Sequence, residues 1–446
     1  MLVKYIDFTF EESSDELMNL MYILKVYEGQ KKVIDDNELT RVFEDCELPL
    51  IETMAEMESS GMMVDKTVLN SVGAELDLRI SELEKSIYQK AGQIFNIKSP
   101  KQLGVVLFED MGIPYPSRSK KKTGYSTSVD VLEKLRDEQP IVGEILEYRK
   151  ATKLKSTYID GLISLIADDG KIHPHFNQTV AATGRISCTE PNLQNIPIRD
   201  EYGRNIRKAF VTSDENHTFI GADYSQIELR ILAALSGDEA LINAFNNNED
   251  IHRITASRVF NVPLEEVTPL DRSKAKAVNF GVIYGMSGFG LSEELMISRA
   301  EAQRYIDDYF SKHEAVKAYL DEQIKIGERD YAVKTLLGRV RQIPEFASRK
   351  FMDRQFANRL AMNTPIQGSA ADIIKLAMNK VYREIKDRNL KSKLVLQIHD
   401  ELIIEADNDE IDIIKELLRR NMESALELKV KLVCDMHTGK TWYDLK

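Results

Sequence analysis

The stretch Lys393–Glu405, KLVLQIHDELIIE, decides how this chain folds. Leu394, Leu396 and Ile398 alternate with polar or smaller positions, and Leu402–Ile404 resume an apolar run, which predicts a β-hairpin. His399, Asp400 and Glu401 stand between the two arms. Two adjacent acids at the tip of an apolar hairpin need water or a cation to receive them. Read alone, His-Asp-Glu is equally a solvated charged turn. A second stretch, Thr218–Ala233, TFIGADYSQIELRILA, bears on the choice. A short apolar strand runs into Asp223, and a helix carrying Ile227, Leu229, Ile231 and Leu232 follows. Two strand-end aspartates, remote in sequence, could meet in space and hold two divalent ions, the core of metal-assisted phosphoryl transfer.

Length and composition bound the rest. The chain has 446 residues, room for roughly two to four domains. With 43% hydrophobic and 30% charged residues it suits a globular protein with a sizeable core. No apolar run approaches the roughly 18 residues of a membrane span, and the acidic start MLVKYIDFTFEESSDEL is no secretory signal. Cys46, Cys188 and Cys434 are widely spaced and lack a CxxC pair. They indicate neither a disulfide framework nor a zinc site and fit a reducing cytoplasm. A net charge of −12 argues against a protein that coats nucleic acid everywhere but allows a basic groove on an acidic body.

Residues 1–47 read as helical, with Leu17, Leu20, Met21, Leu24 and Tyr27 at helical spacing. Leu48-Pro49-Leu50 breaks that pattern, and a helix through Ile51–Ser59 ends at Gly61. A long helix is predicted over Val68–Ala91, another from Ser99-Pro100, and a third over Val129–Ala167 with Arg149, Lys150, Lys153 and Lys155 clustered. Residues 112–128 form the clearest loop, whose basic run Arg118–Lys122 is either solvated or a phosphate-contacting tip. Lys171–Ile220 is strand-rich and irregular. Helices dominate from Gln226 to about Tyr331, Thr335–Ile343 predicts a hairpin, and helices return over Arg349–Lys386. A helix at Asp409–Ala425 and a strand at Val430–Asp435 complete the chain. No internal repeat is present.

Between the two aspartates lies Arg272–Gly285, RSKAKAVNFGVIYG. Arg272, Lys276, Phe280 and Tyr284 recur every four residues, a gently winding stripe on one helical face. A core helix would carry Leu or Ile there. Two cations suit a triphosphate, and two aromatic faces suit a base.

Together these stretches resemble the family A DNA polymerases, the bacterial DNA polymerase I type. DYSQIELR at Asp223–Arg230 looks like that family's first polymerase motif, Arg272–Gly285 its second, and QIHDEL at Gln397–Leu402 its third, in the same order and with similar separations. TGRISCTEPNLQNIP at Thr183–Pro197, DIHRITA at Asp250–Ala256 and NTPIQGSAAD at Asn363–Asp372 add to the match. The resemblance runs from about Glu47 to the terminal GKTWYDLK.

The resemblance implies an α+β right-hand polymerase fold. A palm with an antiparallel sheet would be built from about 171–235 and 372–446, helical fingers from 236–371, and a helical thumb with its join to the palm from 48–170. Residues 1–47 would be the closing helices of an exonuclease-like domain. Implied function is template-directed addition of deoxynucleotides to a primer 3′ end, with pyrophosphate released, by a monomer working on primer–template DNA and dNTPs away from membranes. Asp223 and Asp400, with the Tyr224 carbonyl, would hold two Mg²⁺ ions, for which Mn²⁺ could substitute. Glu401 would be a nearby acid of secondary importance. Arg272 and Lys276 would grip the triphosphate, Lys276 could protonate the pyrophosphate, and His252 would add a phosphate contact. Phe280 would pack on the incoming sugar and base, Tyr284 beside the template base, with Gln226 in the same nucleotide site. Glu228 would sit under the sugar's 2′ position and exclude a ribonucleotide.

Duplex contacts have their own logic. The minor groove offers a purine N3 or pyrimidine O2 acceptor at every base pair, so donors there test pairing geometry without reading sequence. Arg185, Asn363, Gln367 and His399 occupy the matching positions, Asn192 and Gln194 belong to the same DNA-binding set, and Arg359 and Lys153 would meet phosphate or template. Alone, Asn363 and Gln367 read as ordinary amides and His252 as a structural histidine; it is the ordered set that carries the assignment. His173 and His175 receive no role.

Full-length relatives carry an editing exonuclease before the polymerase. The acids Asp7, Glu11, Glu12, Asp15 and Glu16 have no partner set to bind editing metals, so neither proofreading nor a 5′ nuclease is expected of this chain. A single-subunit RNA polymerase would share the aspartates and the Lys–Tyr helix, but Glu228 argues against it. Intact Asp223, Asp400, Arg272 and Lys276 argue against a non-catalytic DNA-binding protein.

Overall fold

The computed structural model describes residues 16–116, 124–198 and 200–445. The run Arg118–Lys122 and the acids from Asp7 to Asp15 lie outside them. The chain divides into two compact units: Met1–Ser60, Phe176–Thr189 and Asn216–Thr438 form one, and Gly61–His175, Glu190–Glu215 and Gly439–Lys446 the other. Helices and antiparallel strand pairs make the class α+β.

The first unit is organised by a four-stranded sheet. Its strands are β1 (His217–Tyr224), β2 (Lys393–Ile398), β3 (Glu401–Asp407) and β4 (Cys434–Gly439), in the order β4-β1-β3-β2. The expected hairpin is β2–β3, joined by the two-residue turn His399-Asp400. His399 takes the left-handed conformation at φ 51°, and the Gln397 side chain donates to its carbonyl at 2.5 Å. Glu401 is not in the turn: it opens β3 and is buried. Leu394, Val395, Leu396 and Ile398 on β2 and Leu402, Ile403 and Ile404 on β3 are all buried. Burial on both faces explains why the apolar run is nearly continuous rather than alternating. Helices Leu48–Ser60, Phe351–Asp387 and Ile411–Glu423 pack on this sheet.

Further expectations need correction. The last strand is not Val430–Asp435 but begins at Cys434. Residues 429–433 meet side chains and one main-chain donor instead of a ladder: Asn246 spans Lys429 O and Lys431 N, Arg230 donates to Lys431 O, and Ser225 N–H to Val433 O. Leu48-Pro49-Leu50 breaks nothing. A π-helical turn, Val42–Glu47, runs directly into Leu48–Ser60, so Pro49 sits within one continuous helical run just after the wider π turn. The expected first helix is present over Glu16–Asp36, with Ile23, Leu24 and Tyr27 all more than half exposed. The hairpin near Thr335 pairs Ala332–Lys334 with Val340–Gln342, leaving Thr335–Arg339 as its turn.

That turn is anchored by charge. Arg339 binds Asp372 at 2.7 Å and also Glu47, and fully buried Lys375 meets Glu47 at 2.7 Å. Removing one member of such a cluster strands a buried charge, at about 3–5 kcal/mol.

In the second unit, Met62–Val64 pairs with Lys171–Ile172 and with Phe210–Val211. Helix Lys66–Ala91 is capped by Asp65, which accepts from Thr67 N and Val68 N, and it packs on Pro140–Lys153. Arg79 clamps the pair through two bonds to Glu147 at 2.8 and 2.9 Å. The single helix expected over Val129–Ala167 is interrupted. Val129–Glu133 ends early, Pro140 starts a new helix because it cannot continue one, and a π-helical turn covers Leu154–Asp160. Trp442 is fully buried against Phe210 and under the Arg207 guanidinium, 4.1 Å from the ring centre, which fixes the C-terminal segment.

Candidate active site

Strand pairing brings the two aspartates together. Glu401 is the register partner of Asp223, so Asp400, one residue earlier, turns over the end of β1. Tyr224 N–H donates to Asp400 O at 3.1 Å. Both aspartates are half-buried. The exit of β1 is held from several sides: Ser225 N–H donates to Val433 O at 2.8 Å, Tyr224 Oη to Met422 O at 2.6 Å, and Arg230 Nε to Ser225 O at 2.8 Å. Among the described residues no group of three or more His, Cys, Asp or Glu side chains surrounds a common point. The donors expected from the sequence are the Asp223 and Asp400 carboxylates and the Tyr224 main-chain carbonyl. This set fits Mg²⁺, a hard cation that takes one or two protein carboxylates and completes its shell with water and substrate phosphate.

The helix after β1 is α1 (Ile227–Ser236). Beyond it come α2 (Ile251–Phe260) and α3 (Pro269–Ile283), which pack on each other. Thr268 and Asp271 form a capping box, and Pro269 sits in the first turn, so α3 starts where the sequence dictates. Ala275, Val278 and Val282 are buried. On the other face Arg272 and Lys276 are exposed, while Phe280 and Tyr284 are half-buried and stacked with ring centres 6.3 Å apart. The four-residue stripe is therefore real and faces outward at its cationic end. Asp250 caps α2 through His252 N and Arg253 N and accepts from Arg272 Nε at 2.7 Å. Burial would raise its pKa, but the guanidinium holds it below the usual carboxylate range. His252 is buried, and its pKa falls to about 4, first from burial and then from Arg272.

Glu228 is buried on α1 with both oxygens engaged. Arg185 Nη2 donates to one at 2.7 Å and Tyr284 Oη to the other at 2.8 Å. Gln367 also bonds the Tyr284 hydroxyl, which burial and then the Glu228 charge push above its ordinary range. Three stretches far apart in sequence thus meet at one carboxylate.

Helix α4 (Phe351–Asp387) carries a second stripe, Arg359, Asn363 and Gln367, again four residues apart. Gly285 takes the left-handed conformation at φ 60° after α3, which favours glycine, and a Cβ there would also have to displace the flexible end of Met362 on α4. Gln226, in the left-handed conformation at φ 53°, and Asn363 each have a buried amide oxygen without a hydrogen-bond partner. His399 is exposed at the hairpin tip.

Lys153, Asn192 and Gln194 fall in the other unit. Of its basic cluster, Arg149 bonds Thr127, Lys150 pairs with Asp200, and Lys155 with Asp77 and Asp160. Lys153 instead lines an open cleft of about 520 Å³ with Lys98, Arg149 and hydroxyls of Ser126, Ser128 and Ser156. The sequence reading passed over Arg230, Asp250, Thr255 and Asn279. A lone arginine within the apolar run Leu229–Ala234 was the one available signal.

The pattern that describes DNA polymerase family A matches residues 66–444. DNA polymerase I of Bacillus subtilis (strain 168) is 51% identical over 414 residues, covering 93% of this chain and 47% of its own length. DNA polymerase I of Caldicellulosiruptor bescii is 47% identical over 449 aligned positions, the whole of this chain and 52% of its own length. The chain spans about half the length of the curated relatives it matches. Among solved structures, the POL domain of Pol1 from M. smegmatis, in complex with DNA primer–template and dNTP, superposes with a TM-score of 0.89 at 43% identity, over 95% of this chain and 74% of that one.

Proposed function

This chain belongs to DNA polymerase family A, and from that premise we propose that it is a DNA-templated DNA polymerase, extending a primer 3′ end with deoxynucleotides. The observation that carries the reading is the meeting of Asp223 and Asp400 at one end of the β1–β3 pair. Residues 171–235 and 372–446 act as palm, 236–371 as fingers and 48–170 as thumb of a monomer.

Asp223, Asp400 and the Tyr224 carbonyl would hold two Mg²⁺ ions, which would supply a lowered pKa for the primer hydroxyl and positive charge opposite that developing on the transferring phosphoryl group. Arg272 and Lys276, exposed on α3, bind the triphosphate, and Lys276 supplies a proton to the departing pyrophosphate. Arg272 must exchange the Asp250 carboxylate for phosphate, a pair of partly exposed groups that costs little to part. Phe280 packs on the incoming sugar and base, and Tyr284 lies next to the template base. The orphaned oxygens of Gln226 and Asn363 are acceptors for nucleotide or DNA donors. Lys153 and Arg359 meet DNA phosphates, while Arg185, Asn192, Gln194, Gln367 and His399 meet the duplex.

Glu228 excludes the 2′-hydroxyl. Held from two sides by Arg185 and Tyr284, its carboxylate cannot swing away to admit one. Glu228→Ala is therefore expected to raise the ratio of rNTP to dNTP incorporation by about tenfold or more, the value of one charged contact. Equal ratios in both proteins would remove Glu228 from this role.

Primer extension tests the function as a whole. Dideoxy-free primer–template is incubated with dNTPs or rNTPs, with Mg²⁺ or with chelator. Extension with dNTPs and Mg²⁺ only is expected. Extension with rNTPs alone would indicate an RNA polymerase, and none under any condition a binding protein.

A further inference from the structure

His252 is placed by a short buried chain that the reading above does not use. Thr255 Oγ1 donates to Asn279 Oδ1 at 3.1 Å, and Asn279 Nδ2 lies 2.9 Å from His252 Nδ1. Thr255 and His252 share α2, whereas Asn279 reaches across from α3. Asn279 is fully buried, and Thr255 and His252 nearly so. An amide has one donor end and one acceptor end. With its oxygen on the Thr255 hydroxyl, its NH₂ faces Nδ1, which must accept. The ring proton is then left on Nε2, on the far side from Asn279.

We propose that Thr255 and Asn279 are positioning residues that fix His252 as the Nε2–H tautomer, so that its ring donates to the phosphates of an incoming nucleotide. The proposal rests on the polymerase reading for the identity of the anion. The charged groups acting on the ring are Arg272 and Lys276 from α3 and Asp250 from the start of its own helix. Burial first, and then the two cations, oppose protonation, so the ring stays neutral, and a neutral ring donates through one nitrogen only. Its tautomer then decides between attraction and repulsion: turned over, the amide would accept from Nδ1–H and leave a bare Nε2 lone pair toward the phosphates.

Imidazole ¹⁵N spectra of the whole chain, labelled at histidine, read the tautomer without turnover. The His252 signals are those lost in His252→Gln. Nδ1 unprotonated and Nε2 protonated across about pH 6–9 is the expected result, since burial, and after it the neighbouring cations, keep the ring below its usual titration range. Asn279→Asp reverses the donor. A carboxylate takes the Nδ1 proton as partner and raises the ring's pKa. Below that pKa both nitrogens are protonated and nucleotide binding survives; above it, Nε2 is bare. The variant's dNTP dissociation constant, relative to wild type, should therefore climb by about tenfold or more as pH rises. Loss of a purely structural contact would not create that pH dependence. Thr255→Val keeps the shape but frees the amide, so a second, Nδ1–H population should appear.

A wild-type Nδ1–H ring, a pH-independent affinity ratio for Asn279→Asp, or an unchanged spectrum in Thr255→Val would each overturn the proposal. If Asn279→Asp does not fold, the other two spectra decide it. The predicted tautomer in a protein that extends no primer would discard the polymerase reading and leave the positioning pair standing.

Discussion

Asp223→Ala and Asp400→Ala are each expected to abolish primer extension while leaving primer–template affinity within about threefold, because under the proposed function metals held by these carboxylates would act on the transition state rather than on ground-state binding. Loss of several kcal/mol of charge stabilisation corresponds to a rate at least about a hundredfold lower. The geometry makes this a clean test. Neither aspartate belongs to the buried core. The main-chain bond from Tyr224 N–H to Asp400 O does not depend on either side chain. The fold should therefore survive, and melting temperature checks that it has. Isosteric Asn variants should behave like the Ala variants, since charge and not shape is removed. Retention of more than about a tenth of the wild-type single-turnover rate by either Ala variant would defeat the assignment.

Lys276→Ala is expected to lower the maximal rate of incorporation, and Arg272→Ala to weaken both dNTP binding and rate. A charged hydrogen bond lost at a transition state costs roughly 2–4 kcal/mol, or about 30- to 1000-fold. The split between the two follows from their positions on α3. Arg272 lies a turn nearer the capped start of the helix and is tied to Asp250, and under the proposed function it would meet the triphosphate on binding as well as in the reaction. Neither variant should lose much stability, because both side chains are exposed and an exposed pair contributes little. Pre-steady-state single-turnover kinetics across dNTP concentration separates the two effects. Unchanged kinetics for both variants would take α3 out of the active site.

Much of this was legible in the sequence because it is local. The β2–β3 hairpin and the stripe Arg272–Lys276–Phe280–Tyr284 are set by period and by neighbouring residues. What was not legible depends on contacts between distant segments. Nothing around Glu228 announces that Arg185 and Tyr284 will hold it, because those partners stand 43 and 56 positions away. Asn279 reads as one more residue in a helix until α2 is packed beside α3 and His252 lies against it. The last strand was misplaced because Val430–Val433 has strand composition, while its hydrogen bonds go to Asn246, Arg230 and Ser225. The apolar period of Glu16–Asp36 foretold a helix but not burial, since period alone does not say whether a face finds a partner.

The central claim is that the hairpin-borne Asp400 and the strand-end Asp223 form one divalent-metal site. Counting bound Mn²⁺ by electron paramagnetic resonance addresses it directly. The complex is assembled on a dideoxy-terminated primer with the next correct dNTP, so that no chemistry proceeds. Wild type should bind Mn²⁺ with two ions per complex, the number two-metal phosphoryl transfer requires. Asp223→Asn and Asp400→Asn should each lose tight binding while still forming the complex. Undiminished Mn²⁺ binding in both variants would contradict the account.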